Sequence, residues 1–369
     1  MQSRFRRISV TLFVGIALIV PAGCSNVLST GNVVGTVATA PTTIDATGTR
    51  DVSAPLNAFI RSVPDGDTIV FPRNARYRIE STISLVDRNN LTVDGNGATL
   101  FATTDGAGAT PMGPVDLQWN WPRHRDQIAI WNGSNVVLRN LTVKGANPNG
   151  GTQESSYVPA YEAQAGVEFH GSVNSRLENC NISDTYGDFV YIANDADGTT
   201  VRNCTMIRSG RQGITVADAI NTTLDANNVS YIARSAFDLE TYVGQWSVLN
   251  TRITNNTVGP TRLDIVASKG EGDVSYVLYA YNRHVGVPMQ IKNYSGVFAG
   301  RRHDWSVIGN TSDHTFGSPH GSVRMFQTDH IVVRDNYQPL QSGRNPEQIA
   351  TEYNGCTDVT EVNNQFPYM

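Results

Sequence analysis

At 369 residues the chain is long enough for a large core, yet only 40% of it is hydrophobic and 33 residues are Gly. That balance suits an elongated, turn-rich β architecture better than one spherical core. The formal charge is −5, and no basic stripe or Lys/Arg cluster follows the first residues, which argues against a nucleic-acid partner.

At the N-terminus, Arg4, Arg6 and Arg7 precede an apolar run from Val10 to Val20 that is too short and poorly flanked to span a membrane. This is the pattern of a cleavable export signal, residues 1–23. Its removal takes three Arg and no acid from 28 basic and 33 acidic residues, moving the formal charge from −5 to −8. The stretch Pro21-Ala22-Gly23-Cys24-Ser25 resembles the lipobox of bacterial lipoproteins, although Pro21 stands where that family has an aliphatic residue. The resemblance implies lipidation of Cys24 as the sole membrane attachment, with plain secretion as the alternative. Residues 24–48, rich in Ser, Thr, Gly, Val and Ala, read as a tether, which leaves 49–369 as the folded domain.

The domain opens with Val52 to Val63, where Leu56, Phe59 and Ile60 share one helical face and could cap the end of a solenoid core. Further along, an alternating apolar pair recurs: Val167/Phe169, Val190/Ile192, Ile214/Val216, Phe237/Leu239, Leu263/Ile265, Met289/Ile291 and Val323/Met325. The within-pair spacing is the strand period, and the first members lie 23, 24, 23, 26, 26 and 34 residues apart. A second ladder runs in step through Leu138–Val143, Leu177–Ile182, Val201–Met206, Leu224–Val229 and Ile253–Val258. Its fourth position is Leu141, Cys180, Cys204, Asn227 and Asn256, continued by Asn310 and Asn336, the pattern of an asparagine ladder at a bend between strands.

A leucine-rich repeat has a similar period, but its Leu spacing is absent and no segment between the ladders has helical periodicity. The expectation is therefore an all-β, right-handed parallel β-helix with a short N-terminal capping helix, its turns stacked at about 4.8 Å. Pro64–Pro72 and Asn90–Leu100, taken with both ladders, resemble the pectate-lyase-like superfamily over roughly residues 49 to 366. One such scaffold hosts many chemistries.

Alternation sends the residues between and after each inward pair outward: Glu168/His170, Tyr191/Ala193, Thr215/Ala217, Asp238/Glu240, Asp264/Val266, Gln290/Lys292 and Arg324/Phe326. The 26-residue step is expected to bring Asp264 beside Asp238, with Glu240 next along the strand and Arg234, Arg262 and Lys292 close by. Asp238, Glu240, Asp264, Lys292 and Arg262 are the catalytic candidates, because paired carboxylates split their pKa values and can serve as acid and base. The pectate-lyase resemblance implies a different use: outward Asp and Glu hold Ca²⁺ while Lys292, Arg262 or Arg324 abstracts a proton. An ordinary solvated charged face is the plainer reading. Arg234, Arg324, Glu168, His170, Tyr191, Trp119 and Trp121 are the substrate-binding candidates, the two Trp lying with His124 and Arg125 in a long loop at 101–127. Tyr157 and Tyr161 lie in another, at 144–165. Aromatic loop residues either stack sugars or pack the loops onto the rod. An outward Thr215 should tolerate replacement by Asp, whereas Leu239→Asp should unfold several turns.

Polygalacturonase-like hydrolases carry Asn-Thr-Asp, Asp-Asp, Gly-His-Gly and Arg-Ile-Lys motifs on successive turns. Here Asp184-Thr-Tyr-Gly187 and Gly210-Arg-Gln-Gly213 stand instead, Tyr186 replaces the catalytic Asp, and no Asp-Asp pair exists. That family's mechanism does not carry over. Neither CxxC nor HExxH occurs, and His303, His314 and His320 are irregularly spaced, so no residue is assigned to a metal. Cys180 and Cys204 share one position in adjacent turns and form either a disulfide or stacked free thiols. The functional expectation is an exported enzyme that cleaves a polysaccharide by hydrolysis or, with Ca²⁺, by elimination. A non-catalytic glycan-binding β-helix is the alternative, and the oligomeric state is left open.

Overall fold

The computed structural model describes residues 35–106, 124–241, 244–293, 302–313, 322–339 and 351–365. Short strands follow one another around a coil, and each pairs in parallel with the strand one turn away, making a right-handed parallel β-helix. The first wall includes Ile128–Trp131, Val167–His170, Val190–Asp197, Ile214–Ile220, Phe237–Thr241 and Val266–Gly270. A second wall stacks Arg176–Glu178, Thr200–Arg202, Thr223–Asp225 and their successors. The third is a ten-stranded sheet that includes Thr142–Lys144, Asn181–Thr185 and Thr205–Ser209.

The apolar alternation in the first wall follows from what each strand must bury. Val167, Val190, Ile214 and Phe237 align in register, as do Phe169, Ile192, Val216 and Leu239, and all eight are fully buried in one continuous core. Helix Ser53–Ser62 closes one end with Leu56 and Ile60 buried and Phe59 packed against the same core. The coil starts earlier than the boundary at 49: Val37–Thr39, expected as tether, already pairs with Thr68–Val70, and Thr47–Asp51, across that boundary, pairs with Arg76–Arg78.

The bend between the second and third walls explains the Asn-rich hexamer. Asn140, Asn179, Asn203 and Asn255 all sit at positive φ, between 53° and 56°, a conformation that Asn tolerates better than other side chains. The next residue points inward. From the turn of Asn227 onward it is always Asn, each Nδ2 donating to the Oδ1 above: Asn227 to Asn256, Asn256 to Asn282, Asn282 to Asn310 and Asn310 to Asn336 at 3.0 Å, and Asn336 to Asn364 at 2.9 Å. The ladder thus includes Asn282 and Asn364, which the hexamer pattern does not reveal. At the same position in earlier turns, Cys180 and Cys204 are buried free thiols donating to backbone carbonyls at 3.3 and 3.2 Å, the second of the two alternatives.

The register departs from expectation after Phe237. Phe237 pairs with Val266, not Leu263, and Val266 with Ile291, not Met289. The inward partner of Leu239 is therefore Ser268, followed by Asn293. Both are buried around the Arg302 guanidinium, which donates to Ser268 Oγ and to Asn293 Oδ1. A polar plug replaces the second apolar residue of the pair at this level, so hydrophobic alternation points to the wrong register. Among the described residues no helix is long and apolar enough to cross a membrane.

Candidate functional site

Along the outside of the first wall one column of side chains runs Ala129, Glu168, Tyr191, Thr215, Asp238, Ala267, Lys292 and Arg324. These residues face away from the core, but several do not face solvent. Glu168, His170, Thr215, Asp238 and Glu240 are all buried, Thr215 and Asp238 completely. Thr215 is therefore no open outer position, and its Oγ1 donates to Asp188 Oδ2 at 2.6 Å.

A second polar column lies two residues before five of these six strands: Asp126, Asp188, Gln212, Ser235 and Asp264, with Ala165 at the same place before Val167. Several of its side-chain oxygens accept the backbone N–H of the next turn: Asp126 Oδ1 from Ala165, Asp188 Oδ1 from Gln212, and Gln212 Oε1 from Ser235, at 2.9, 2.9 and 2.7 Å. Closing the bend between the third and first walls pulls these acids under the surface beside the outward column. Asp264 belongs here, level with Ser235. It does not meet Asp238, whose neighbour is Ala267.

Asp238 instead sits in a patch that the apolar ladder does not announce. Gln212 Nε2 donates to its Oδ2 at 2.6 Å, while Oδ1 is buried without a partner. Burial first, then the Glu240 charge, pushes its pKa up to about 8. Arg211 bridges the patch, with Nη1 2.8 Å from Asp188 Oδ2 and Nη2 3.2 Å from Glu240 Oε2. Burial works against its charge, but Asp188 and Glu240 outweigh that and hold it protonated. Lys269 Nζ lies 3.6 Å from Glu240 Oε1. Asp188, Arg211 and Gln212 are thus site residues that strand alternation misses. The signal that could have found Asp188 and Gln212 is a polar residue recurring two positions before the strands.

The expected basic residues go elsewhere. Lys292 pairs with Asp264 at 2.5 Å, Arg262 with Glu154, and Arg324 Nε with Glu352 Oε2 at 2.7 Å. Arg234 lies over the Tyr157 ring at 4.0 Å. Tyr157 donates to Glu162 at 2.5 Å and Tyr161 to Asp105, so both tyrosines pack their loop onto the coil. Tyr191 lies between the Asp238 patch and Glu168; burial first, then Glu240, pushes its hydroxyl pKa up. His303 is half-exposed beside Asp304. Cys24, Trp119, Trp121, His314 and His320 lie outside the described residues.

At the other end of the column is a second patch. His124 Nε2 lies 2.9 Å from Asp126 Oδ2 and 3.8 Å from Glu168 Oε2, and one donor atom from each residue lies within 4.8 Å of the others. Trp131 Nε1 donates to Glu168 Oε2 at 2.8 Å, and His170, stacked on Trp131, lies 3.5 Å from Glu168 Oε1. Among the described residues this is the group with the donor set for a cation.

A parallel solenoid with buried acids, a buried Arg and loop insertions along one wall defines the class: a β-helix whose outer face carries ionisable patches. The chain belongs to the right-handed β-helix family, whose model, the right handed beta helix region, matches residues 74–272, more than half of the chain. No curated protein matches the sequence. Similar solved structures include the family 28 exopolygalacturonase of Yersinia enterocolitica, at 10% identity over 89% of this chain and 78% of that one, with a TM-score of 0.59. A hyperthermoactive exopolygalacturonase from Thermotoga maritima is 10% identical over 86% and 89%, with a TM-score of 0.58. An alginate lyase from Paenibacillus sp. is 12% identical over 88% and 99%, with a TM-score of 0.54. At these identities the likeness is one of fold.

Proposed function

We propose that the protein is an exported polysaccharide-cleaving enzyme working along the first wall, and that it is a hydrolase with Asp238 as general acid. The observation that carries this is the Asp238 carboxyl: its Oδ1 is buried with no hydrogen-bond partner inside the protein, and burial with the Glu240 charge pushes its pKa up to about 8. Glu240, two residues on, is gripped by Arg211 and Lys269. In this reading Asp238 gives its proton to the leaving glycosidic oxygen and Glu240 takes one from water. Elimination, with or without Ca²⁺, is less well supported, because Lys292, Arg262 and Arg324 are each engaged by a carboxylate away from Asp238. Export through the N-terminal signal and anchoring at Cys24 belong to the same proposal.

The purified protein is to be incubated with acidic and neutral polysaccharides, with and without Ca²⁺. New reducing ends without an unsaturated product support hydrolysis, and reducing ends with ultraviolet-absorbing product mean elimination. Asp238→Asn and Glu240→Gln should each lower turnover about 100-fold or more. Near wild-type rates in both variants would refute the assignment. A non-catalytic glycan-binding β-helix has one observation in its favour, the complete burial of Asp238, and the absence of any product would select it.

A further inference from the structure

We propose that His124, Asp126 and Glu168 form a site for one divalent transition-metal ion, Zn²⁺ by preference and Mn²⁺ next. The donors come from two turns: His124 and Asp126 precede strand Ile128–Trp131, and Glu168 stands on the neighbouring strand, paired with Ala129. Ala129, a methyl side chain beside Glu168 in the outward column, leaves room for the Glu168 carboxylate to meet the other two. The local His124-Arg125-Asp126 segment does not reveal the set, since Glu168 joins it only once the coils stack.

Geometry favours a small ion. Donors around a tetrahedral Zn²⁺ lie about 3.4 Å apart, and the separations of 2.9 and 3.8 Å from His124 Nε2 to the two carboxylates bracket that value. Both carboxylates are oriented by neighbouring groups, as ligands usually are. Asp126 Oδ1 accepts the Ala165 N–H at 2.9 Å, which leaves Oδ2 turned toward His124. Glu168 is oriented by Trp131 at 2.8 Å and by His170 at 3.5 Å. Asp126 and Glu168 are only 2% and 4% exposed, so two acids share a dry pocket with one imidazole, and a dication balances that charge. One nitrogen and two oxygens match Zn²⁺ or Mn²⁺, whereas Ca²⁺ takes six to eight oxygens. Three protein ligands leave a fourth position open. His124, whose side chain is 25% exposed, is the member on the solvent side.

The arrangement without metal is a protonated His124 bridging two carboxylates, and binding measurements separate the two. The purified full-length protein, stripped with EDTA, is titrated with Zn²⁺ by calorimetry, and its Co²⁺ form is examined by visible absorption. One equivalent of Zn²⁺ should bind, with the intense bands of tetrahedral Co²⁺. His124→Ala and Glu168→Gln should each weaken binding by at least about 100-fold, while His330→Ala, an exposed histidine elsewhere, should leave it unchanged. No stoichiometric uptake by the wild type, or equal uptake by the ligand variants, overturns the proposal. If a ligand variant fails to fold, the wild-type Co²⁺ spectrum decides alone, and weak octahedral bands refute the site.

Discussion

Replacing Asp238 by Asn tests the electrostatics of the central patch without disturbing its packing. The new amide would keep an oxygen to accept the 2.6 Å bond from Gln212 but could not ionise. Asp238 has its pKa raised from 3.8 to about 8, so between those values the folded chain holds a proton that the unfolded chain has released. Its contribution to stability is fully present below about pH 4 and is lost as pH rises through about 8, with a slope of at most about 1.4 kcal/mol per pH unit. The asparagine variant lacks that slope. Thermal melts of both proteins from about pH 5 to about pH 8 should show the variant gaining on the wild type by roughly 2 °C per pH unit. Asp188, also raised by burial, is present in both proteins and cancels in the difference. A constant offset across the range would refute the buried, protonated Asp238.

Asn282→Ala removes the middle of the ladder and leaves the Asn256 amide without its acceptor; a loss of about 1–3 kcal/mol in urea unfolding is expected, and no measurable loss would mean the ladder is not cohesive. Thr215→Asp should destabilise the protein strongly, since the new carboxylate would be buried against Asp188; a folded variant with wild-type melting would refute the covered column. Leu239→Asp introduces a charge at a fully buried core position, and loss of the cooperative β-sheet transition in circular dichroism is expected. Cys24→Ser should release the protein from the membrane fraction, and a wild type already soluble in the medium would contradict the anchor.

The sequence by itself determined the fold class, because a solenoid repeats its constraints. Each turn must bury an apolar pair at the strand period and pass a bend that only a few residues tolerate, so Val190/Ile192 or Asn203-Cys204 announce their own roles locally. It also pointed to Asp238 and Glu240 as neighbours on one outer face. The tertiary structure decided what local periodicity cannot carry. Where inward residues turn polar, as at Ser268 and Asn293 around Arg302, the register moved and took Asp264 away from Asp238. Burial of the outward column followed from the bend residues Asp188 and Gln212 and from Arg211, which fold over it and close it with hydrogen bonds between turns. The meeting of His124, Asp126 and Glu168 depends on which coil stacks on which. Their separation in the chain holds no trace of it.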